Sequence, residues 1–329
     1  MYKNRGAGQS WLHSLTLSRL VFLISFLSLN AQIPLVNVLG FEIKPFHFLF
    51  VLAFFLAIFY IRLKWGSFFC FAPFLTIVLL SSASSLLAEN IEYMRLLPNY
   101  VFAFLVFFTS LGLARALPMD EQIKGLQVAG WLILFAIVAK TFLSWPQIRE
   151  YLADPYAHPD LFWFYGGGVN LEATFLTMNT AFYRRTKSFW FYWALSFILS
   201  GVYASRVGIL LGAFLAFLQL ASQRSWRALF LGITLAIAVG IVTYFSNPYS
   251  FTRFAQVGGE TGSIARLEMW SGARQALKNL PLLGYGPGSA IRAVEDISGQ
   301  DFTEDNVHNY LLQVLLDFGL PGLLAWLLI

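Results

Sequence analysis

Two arginines and one histidine in the second half of the chain have side chains that could bind an anion and accept a proton: Arg206, Arg266 and His308. An arginine guanidinium binds phosphate oxygens through paired hydrogen bonds, and histidine is well suited to accept a proton near neutral pH. Together they suit a reaction in which a diphosphate leaves and a hydroxyl group attacks. For each residue alone, contact with lipid head groups or a structural role is the alternative.

Other polar residues are candidates because charge inside a membrane is costly. The charged residues within or beside apolar runs are Arg19, Lys140, Glu172, Arg206 and Asp317. Trp270 lies one helical turn after Arg266 and is a candidate cation–π partner. Asn170 and Glu172 follow three glycines, where they face either a cavity or a neighbouring helix. Arg19 and Lys140 lie near the ends of predicted spans, and we expect their long side chains to reach the membrane interface.

These residues belong to a chain whose composition is that of a membrane protein. Of its 329 residues 58% are hydrophobic and only 12% are charged, and the mean hydropathy is +0.65. This excludes a soluble globular enzyme. The apolar runs are continuous and lack the alternation of barrel strands, so we predict an all-α, polytopic integral membrane protein. The single Cys70 forms no intrachain disulfide and offers no cysteine-based metal site.

Apolar runs punctuated by charges, prolines and glycines predict about ten transmembrane helices. They lie near 16–37, 45–61, 66–88, 96–114, 123–144, 166–183, 188–204, 206–222, 226–245 and 307–329. The first run lacks a plausible cleavage site and is predicted to be a retained span. Lys and Arg residues concentrate in the connections that lie on the same side of the membrane as the N-terminus. Because basic residues favour the cytoplasmic side, this places the N-terminus in the cytoplasm.

This orientation puts residues 246–306 on the outer face as one large loop. The loop separates the first nine predicted transmembrane helices, within residues 1–245, from the tenth, at 307–329. Within it, Ile264, Leu267, Trp270 and Leu277 repeat at helical spacing. They predict an amphipathic helix from Ser263, its cap, to residue 280. The shorter outer loop 145–165 is rich in aromatic residues and proline, which is typical of an interfacial belt.

The sequence lacks an Asp-x-Asp motif, a phosphate-binding glycine loop, a nucleophile elbow and a His/Glu cluster with metal-ligand spacing. A cytoplasmic nucleotide sugar or ATP is therefore not the expected substrate. We predict neither a metal nor a cofactor. A lipid diphosphate, with its charge balanced by arginines, is still compatible with the sequence as a substrate.

Several segments in the second half resemble the shared core of the O-antigen ligase and O-antigen polymerase superfamily. They are SRVG at 205–208, RLEMW at 266–270, NLPLLGYGPG at 279–288, HNYLLQ at 308–313 and FGLPG at 318–322, with a weaker match at Gly166–Asn170. No single segment is specific, but their order and spacing are. The first half matches only as apolar spans.

The resemblance implies a glycosyltransferase with a GT-C-like fold in the bacterial inner membrane, acting in lipopolysaccharide biosynthesis. Such enzymes take a glycan from undecaprenyl diphosphate on the periplasmic face, with inversion and without metal or nucleotide. The family's essential arginines fall on Arg206 and Arg266 and its histidine on His308. Further candidates for binding the diphosphate or glycan are Arg274, Arg292, Asn309, Asn170, Glu172 and Trp270. Family members usually have about twelve spans, so we expect this chain to be truncated at its C-terminus.

The acceptor is less well determined by sequence. The single large outer loop favours ligation of O-antigen to lipid A core over polymerisation of lipid-linked repeat units or transfer to protein hydroxyls. A transporter or flippase for lipid-linked glycans is an alternative from another class, but no internal repeat supports it. An inactive scaffold in an envelope assembly complex is a further alternative.

Overall fold

The computed structural model describes most of the chain, with gaps. The described residues are 19–20, 23–24, 35–38, 41–56, 58, 68–87, 97–153, 169–184, 186–223, 225–248, 251–252, 254, 261–302 and 306–328. Within these ranges the backbone is helical apart from turns and one short hairpin. The predicted all-α class is therefore confirmed for the described residues, except at the hairpin.

The elements follow the apolar runs closely. In chain order they are β1 (Val36–Val38), β2 (Phe41–Ile43), α1 (Pro45–Leu56), α2 (Phe68–Leu87), α3 (Leu97–Ala116), α4 (Met119–Leu143), α5 (Trp145–Ala153), α6 (Val169–Asn179), α7 (Phe189–Val202), α8 (Arg206–Ala221), α9 (Trp226–Ser246), α10 (Thr261–Ala276), α11 (Ala290–Ser298) and α12 (Tyr310–Leu327). Short 3-10 helices, Thr180–Tyr183 and Leu277–Asn279, directly follow α6 and α10.

Three helices among the described residues are long and apolar enough to cross a membrane: α4, α9 and α12. They coincide with the predicted spans 123–144, 226–245 and 307–329 to within about one helical turn. The helices α1, α7 and α8 and the segment Phe71–Leu86 of α2 are apolar but shorter. The number of about ten spans, their orientation and the outer position of 246–306 stay predictions.

Two local expectations are corrected by the backbone. The predicted first span, 16–37, lies largely outside the described residues, but its last two positions belong to β1, which pairs antiparallel with β2. β-branched valines at both Val36 and Val38 favour this extended conformation. The predicted outer loop 145–165 begins with a helix, α5, which follows α4 after the single residue Ser144.

The chain forms two compact units. The first unit comprises Met1–Leu35, Lys44–Ala53 and Ala116–Gln256, and helices α4 and α6 to α9 pack together in it. Its core is rich in aromatic residues: the rings of Tyr183 and Tyr192 stack with centroids 4.2 Å apart. Trp193 donates from Nε1 to the carbonyl of Gly212, 2.8 Å away, which joins α7 to α8.

The second unit comprises Val36–Ile43, Phe54–Arg115 and Val257–Ile329. One of its cores packs α10 against α11, with small buried residues at the contact. Another packs α12 against α2 and α3, where the Tyr100 and Phe318 rings meet edge to face at 4.6 Å. This unit carries Arg266 and His308, whereas Arg206 belongs to the first unit.

Candidate functional site

A break in α12 organises the second unit. Gly319 has a non-helical conformation, with φ 67° and ψ −173°, and Pro321 has no backbone N–H. The carbonyl of Asp317, four residues before Pro321, therefore has no helical partner. It accepts instead from the backbone N–H of Gly286, 3.0 Å away, and from Ser81 Oγ, 3.1 Å away.

The glycine-rich segment 284–288 fits directly against this break. Tyr285 donates its backbone N–H to the carbonyl of Leu316 at 2.8 Å. Gly284 and Gly319 both have positive φ, and a Cβ on either would overlap the backbone of the other segment. The segments 284–288 and 318–322 are therefore two halves of one interlocked structure, which explains why both are rich in glycine.

The side chain of Asp317 lies at the centre of this structure and is completely buried. Its Oδ2 accepts from the Tyr100 hydroxyl at 2.7 Å and from Gln313 Nε2 at 3.0 Å. Its Oδ1 accepts from the backbone N–H of Ala290, the first residue of α11, at 3.0 Å. One carboxyl group thus joins α3, α11 and α12, and these donors offset the cost of burying it.

Gln313 carries this network to the residues around His308. Its Oε1 accepts from the backbone N–H of Val307 at 3.1 Å, while its Nε2 donates to Asp317. Asn306 Oδ1 accepts from the backbone N–H of His308 at 2.9 Å. His308 has φ +51°, in the left-handed region that non-glycine residues rarely occupy. We call residues 306–309 the histidine corner.

The histidine corner leads directly into α12. Asn309 is the N-cap of this helix, and its side chain accepts from the backbone N–H of Leu312 at 3.2 Å. His308 is exposed, and the corner holds its backbone N–H through Asn306. An exposed histidine on a held backbone suits a proton acceptor for an incoming hydroxyl group.

The helix that carries Arg266 is tied to the same corner. Trp270 donates from Nε1 to the carbonyl of Val307, 2.8 Å away. Arg266 and Arg274 lie one turn before and one turn after Trp270 on α10, so the three side chains share a helical face. Both arginines are exposed. Neither makes a hydrogen bond or ion pair with a described residue. The candidate cation–π contact between Arg266 and Trp270 is not formed.

The predicted helix over 263–280 is confirmed as α10 with its 3-10 extension, but two details are wrong. Ser263 lies inside the helix and is not its cap. The predicted apolar face, with Ile264 and Leu267, is exposed, whereas Met269 and Ala273 are buried. The reason is the partner helix: α11 approaches so closely that a Cβ on Gly272 would lie 2.8 Å from Val294, which selects small residues.

Arg292 projects from the exposed face of α11, a helix that the sequence analysis missed. The signal was present, because Ala290, Ile291, Val294 and Ile297 repeat at helical spacing after Ser289. In the segment that precedes α11, Tyr285 donates its hydroxyl to the carbonyl of Ala276 at 2.8 Å. Burial raises the pKa of Tyr285, which keeps this hydroxyl protonated.

Arg206, in the first unit, is the first residue of α8. The chain leaves α7 at Val202 and turns through Ala204, which has φ +51°. Ser205 is the N-cap: its Oγ accepts from the backbone N–H of Gly208 at 3.2 Å. The Arg206 side chain is half-buried. Its position at a helix N-terminus adds to the favourable potential for an anion.

A buried ion pair supports this turn. Lys140 Nζ pairs with Glu172 Oε1, and both side chains are buried. Lys140 also lies 5.2 Å from the ring centroid of Tyr203, whose hydroxyl shares a hydrogen bond with Thr141 Oγ1 at 2.8 Å. The prediction that Lys140 reaches the interface is therefore wrong, because its ammonium group has a carboxylate partner in the interior.

The remaining predicted residues are less completely described. Glu172 packs inside the first unit, and its role as a glycan contact stays a prediction. Asn170 lies in α6, but its side chain, like Gly166–Gly168, is outside the described part of the structure. Asp317 was noted in the sequence only as a charge in an apolar run, and its partners Gln313 and Tyr100 were missed. A carboxyl group in such a run was the available signal.

Comparison with known proteins agrees with this architecture. A family model described as O-antigen ligase matches residues 188–327, the part of the chain from α7 to α12 that contains Arg206, Arg266 and His308. Comparisons with curated proteins and with solved structures found no significant match. The family match supports a membrane-embedded protein with glycosyltransferase-like activity of the O-antigen ligase or polymerase type, and in general a lipid-linked glycan and an acceptor as partners. Over residues 188–327, the match supports the resemblance to the O-antigen ligase and polymerase superfamily that the sequence segments indicated.

Proposed function

We propose that this protein transfers a glycan from undecaprenyl diphosphate to an acceptor hydroxyl group at the periplasmic face of the bacterial inner membrane, without metal or nucleotide. The observation that carries this proposal is the hydrogen bond from Trp270 to the carbonyl of Val307. It fixes the helix of Arg266 against the histidine corner, so a cation and a proton acceptor belong to one local structure within the matched segment.

In the proposed reaction the acceptor hydroxyl oxygen attacks the anomeric carbon of the glycan. The bond from that carbon to the diphosphate oxygen breaks, and the diphosphate leaves with the bonding electron pair. His308 accepts the hydroxyl proton, and the attack from the opposite side inverts the anomeric configuration. Arg266 stabilises the negative charge that develops on the departing diphosphate.

Arg206 is proposed as a second diphosphate ligand, because it is a cation at a helix N-terminus within the matched segment. Arg274 and Arg292 are proposed as further cations for the diphosphate or glycan. Arg274 shares the exposed face of α10 with Arg266, and no described residue forms a hydrogen bond or ion pair with it. Asn309 is a weaker candidate, since its side-chain oxygen already caps α12.

We propose lipid A core as the acceptor, which makes the reaction O-antigen ligation. The support is the single large loop 246–306 of the predicted topology, because the other outer loop is modest. Polymerisation of lipid-linked repeats and transfer to protein hydroxyls use the same chemistry and differ only in the acceptor. The acceptor must therefore be identified by experiment.

The direct test supplies purified protein with an undecaprenyl-diphosphate oligosaccharide in EDTA and follows products by mass spectrometry, with and without lipid A core. A glycan joined to lipid A core establishes a ligase, and lengthening of the lipid-linked glycan alone establishes a polymerase. Donor binding without any product, in either condition, would contradict the transferase proposal and favour a transporter. Loss of activity in EDTA that zinc or magnesium restores would contradict metal independence.

Variants separate the roles of individual residues. His308→Ala should abolish transfer and leave donor binding largely intact, because the ring accepts a proton and does not hold the diphosphate. Arg266→Ala should weaken both donor binding and transfer. Lys278→Ala is the matched control, since it removes an exposed cation just beyond α10 and should have little effect. Unchanged transfer in His308→Ala would remove this residue as the base.

A further inference from the structure

The first unit contains a cavity of about 700 Å³, a size typical of small-ligand sites. It lies where the beginning of α4, the 3-10 helix Thr180–Tyr183 and the end of α8 meet. Its lining combines the apolar side chains of Ile123, Ala181 and Phe182 with polar ones: Asp120, Lys124, Gln127, Arg184, Gln219 and Ser222. Its described lining includes none of the candidate-site residues, so an inference from it does not depend on the proposed transferase function.

The cavity lies at the level of helix ends. Asp120 and Lys124 belong to the first two turns of α4, which is long and apolar enough to cross a membrane, and Ser222 is the C-cap of α8. The polar head groups of lipids occupy this level at the edge of the hydrocarbon core. A ligand that enters here from the membrane therefore presents its head group to the cavity.

The walls of the cavity are fixed by internal hydrogen bonds. Gln127 donates from Nε2 to the carbonyl of Phe182 at 2.7 Å, and the Tyr183 hydroxyl donates to the carbonyl of Gln127. These two bonds hold the 3-10 helix against α4. On the α8 side, Ser222 Oγ donates to the carbonyl of Gln219 at 2.6 Å. The cavity is therefore preformed and needs no rearrangement to bind a ligand.

Arg184 lines this cavity and uses few of its donors in contacts with described residues. Arg184 donates from a terminal nitrogen to the carbonyl of Leu218 at 3.3 Å, but its Nε is buried and has no hydrogen-bond partner among the described residues. An anionic oxygen inside the cavity would accept from the remaining terminal N–H groups of Arg184, and phosphate matches the geometry of a guanidinium group.

The other charges restrict the kind of anion. Lys124 is largely exposed and lies 3.8 Å from Glu121, which also pairs with Arg19 at 3.0 Å. The ammonium group of Lys124 therefore keeps donors for a ligand. Asp120 is exposed at the rim and opposes a ligand that carries only negative charge. A ligand that combines a phosphate with an ammonium group fits both signs of charge.

We propose that this cavity binds the head group of an ethanolamine phospholipid. The phosphate accepts hydrogen bonds from Arg184 and Lys124, and the primary ammonium donates to Asp120. Basic pockets between membrane helices commonly bind lipid head groups. The carboxylate distinguishes this site from one for an acidic phospholipid, and it distinguishes ethanolamine from choline, which has no N–H donor.

The test measures lipid binding to the purified, delipidated protein by native mass spectrometry with ethanolamine, glycerol and choline phospholipids of equal acyl chains. The ethanolamine lipid should bind about tenfold more tightly than either of the others. Arg184→Ala should weaken it by about tenfold, and Asp120→Asn should remove the preference over the glycerol lipid. Arg227→Ala is the matched control: it is exposed in the first turn of α9 and does not line the cavity.

Two further arms use inorganic phosphate and soluble glycerophosphoethanolamine as competitors. Neither should displace the lipid at millimolar concentration if the membrane supplies the ligand, whereas displacement by phosphate would indicate a site for a free anion and overturn the proposal. Equal binding of the three lipids, or no change in Asp120→Asn, would overturn it as well. Because Asp120 is exposed, this variant remains informative if Arg184→Ala fails to fold.

Discussion

Gln313→Ala is the substitution that tests most directly how the histidine corner is held. Gln313 does not face the corner's exposed surface, since it is buried and lies on the second turn of α12. Its amide accepts from Val307 and donates to Asp317, so truncation breaks both bonds at once. Because Val307 is fully buried, its N–H is left without an acceptor.

The size of the effect follows from these two bonds. Leaving a buried donor unsatisfied costs about 1–3 kcal/mol. If that energy is lost from the conformation that orients His308 for reaction, the rate falls by roughly 10-fold to 100-fold, since about 1.4 kcal/mol corresponds to a factor of ten. Neither bond involves the donor lipid, so KM for the donor should change little while kcat falls.

The assay is the initial rate of transfer over a range of donor and acceptor concentrations. Gln275→Ala is the control, because Gln275 is exposed on α10 and its loss should leave both kinetic constants unchanged. Gln313→Glu keeps an acceptor for Val307 but removes the donor to Asp317 and places two carboxyl groups together, so it should also be slow. A lower thermal stability of Gln313→Ala with normal kcat would refute the positioning role and leave only a structural one.

Three further substitutions test other parts of the structure. Trp270→Phe keeps an aromatic ring but removes the tie between α10 and the histidine corner, so kcat in the transfer assay should fall about tenfold. Gly319→Ala should lower the yield of folded protein far more than Gly299→Ala, because both glycines have positive φ but only Gly319 faces backbone at close range. Lys140→Met should cost about 3–5 kcal/mol in thermal unfolding by leaving Glu172 buried and unpaired, and adding Glu172→Leu should restore most of that stability.

The sequence predicted the helices of the described region well where an apolar run was bounded by strong breaks. The helix α9 begins at the predicted residue, Trp226, and ends one residue after the predicted end. Prediction of α10 succeeded for the same reason, since Pro281 marks its end. The orientation of α10 was wrong because hydrophobicity alone does not identify the packing face. Ala273 and Gly272 face the partner helix because they are small, and periodicity scales give small residues little weight.

The partners of the membrane charges could not be read from the sequence either. Lys140 and Glu172 are 32 residues apart on different helices, with both side chains directed to the same interior point. A lysine near the end of an apolar run is compatible with either snorkelling or pairing. Only the packing of α4 against α6 decides between them, and that packing depends on every residue of the contact.

Asp317 shows how sequence motifs become one physical unit. Pro321 deprives the Asp317 carbonyl of its helical donor, and the glycine-rich segment supplies a replacement through Gly286. Folding of that segment then places the start of α11, at Ala290, where its free N–H meets the Asp317 side chain. With this carboxyl group fixed, Gln313 is oriented by it and holds the histidine corner. The proline, the glycines and His308 are therefore linked by one chain of hydrogen bonds, so a defect in any of them should reach the corner through Asp317.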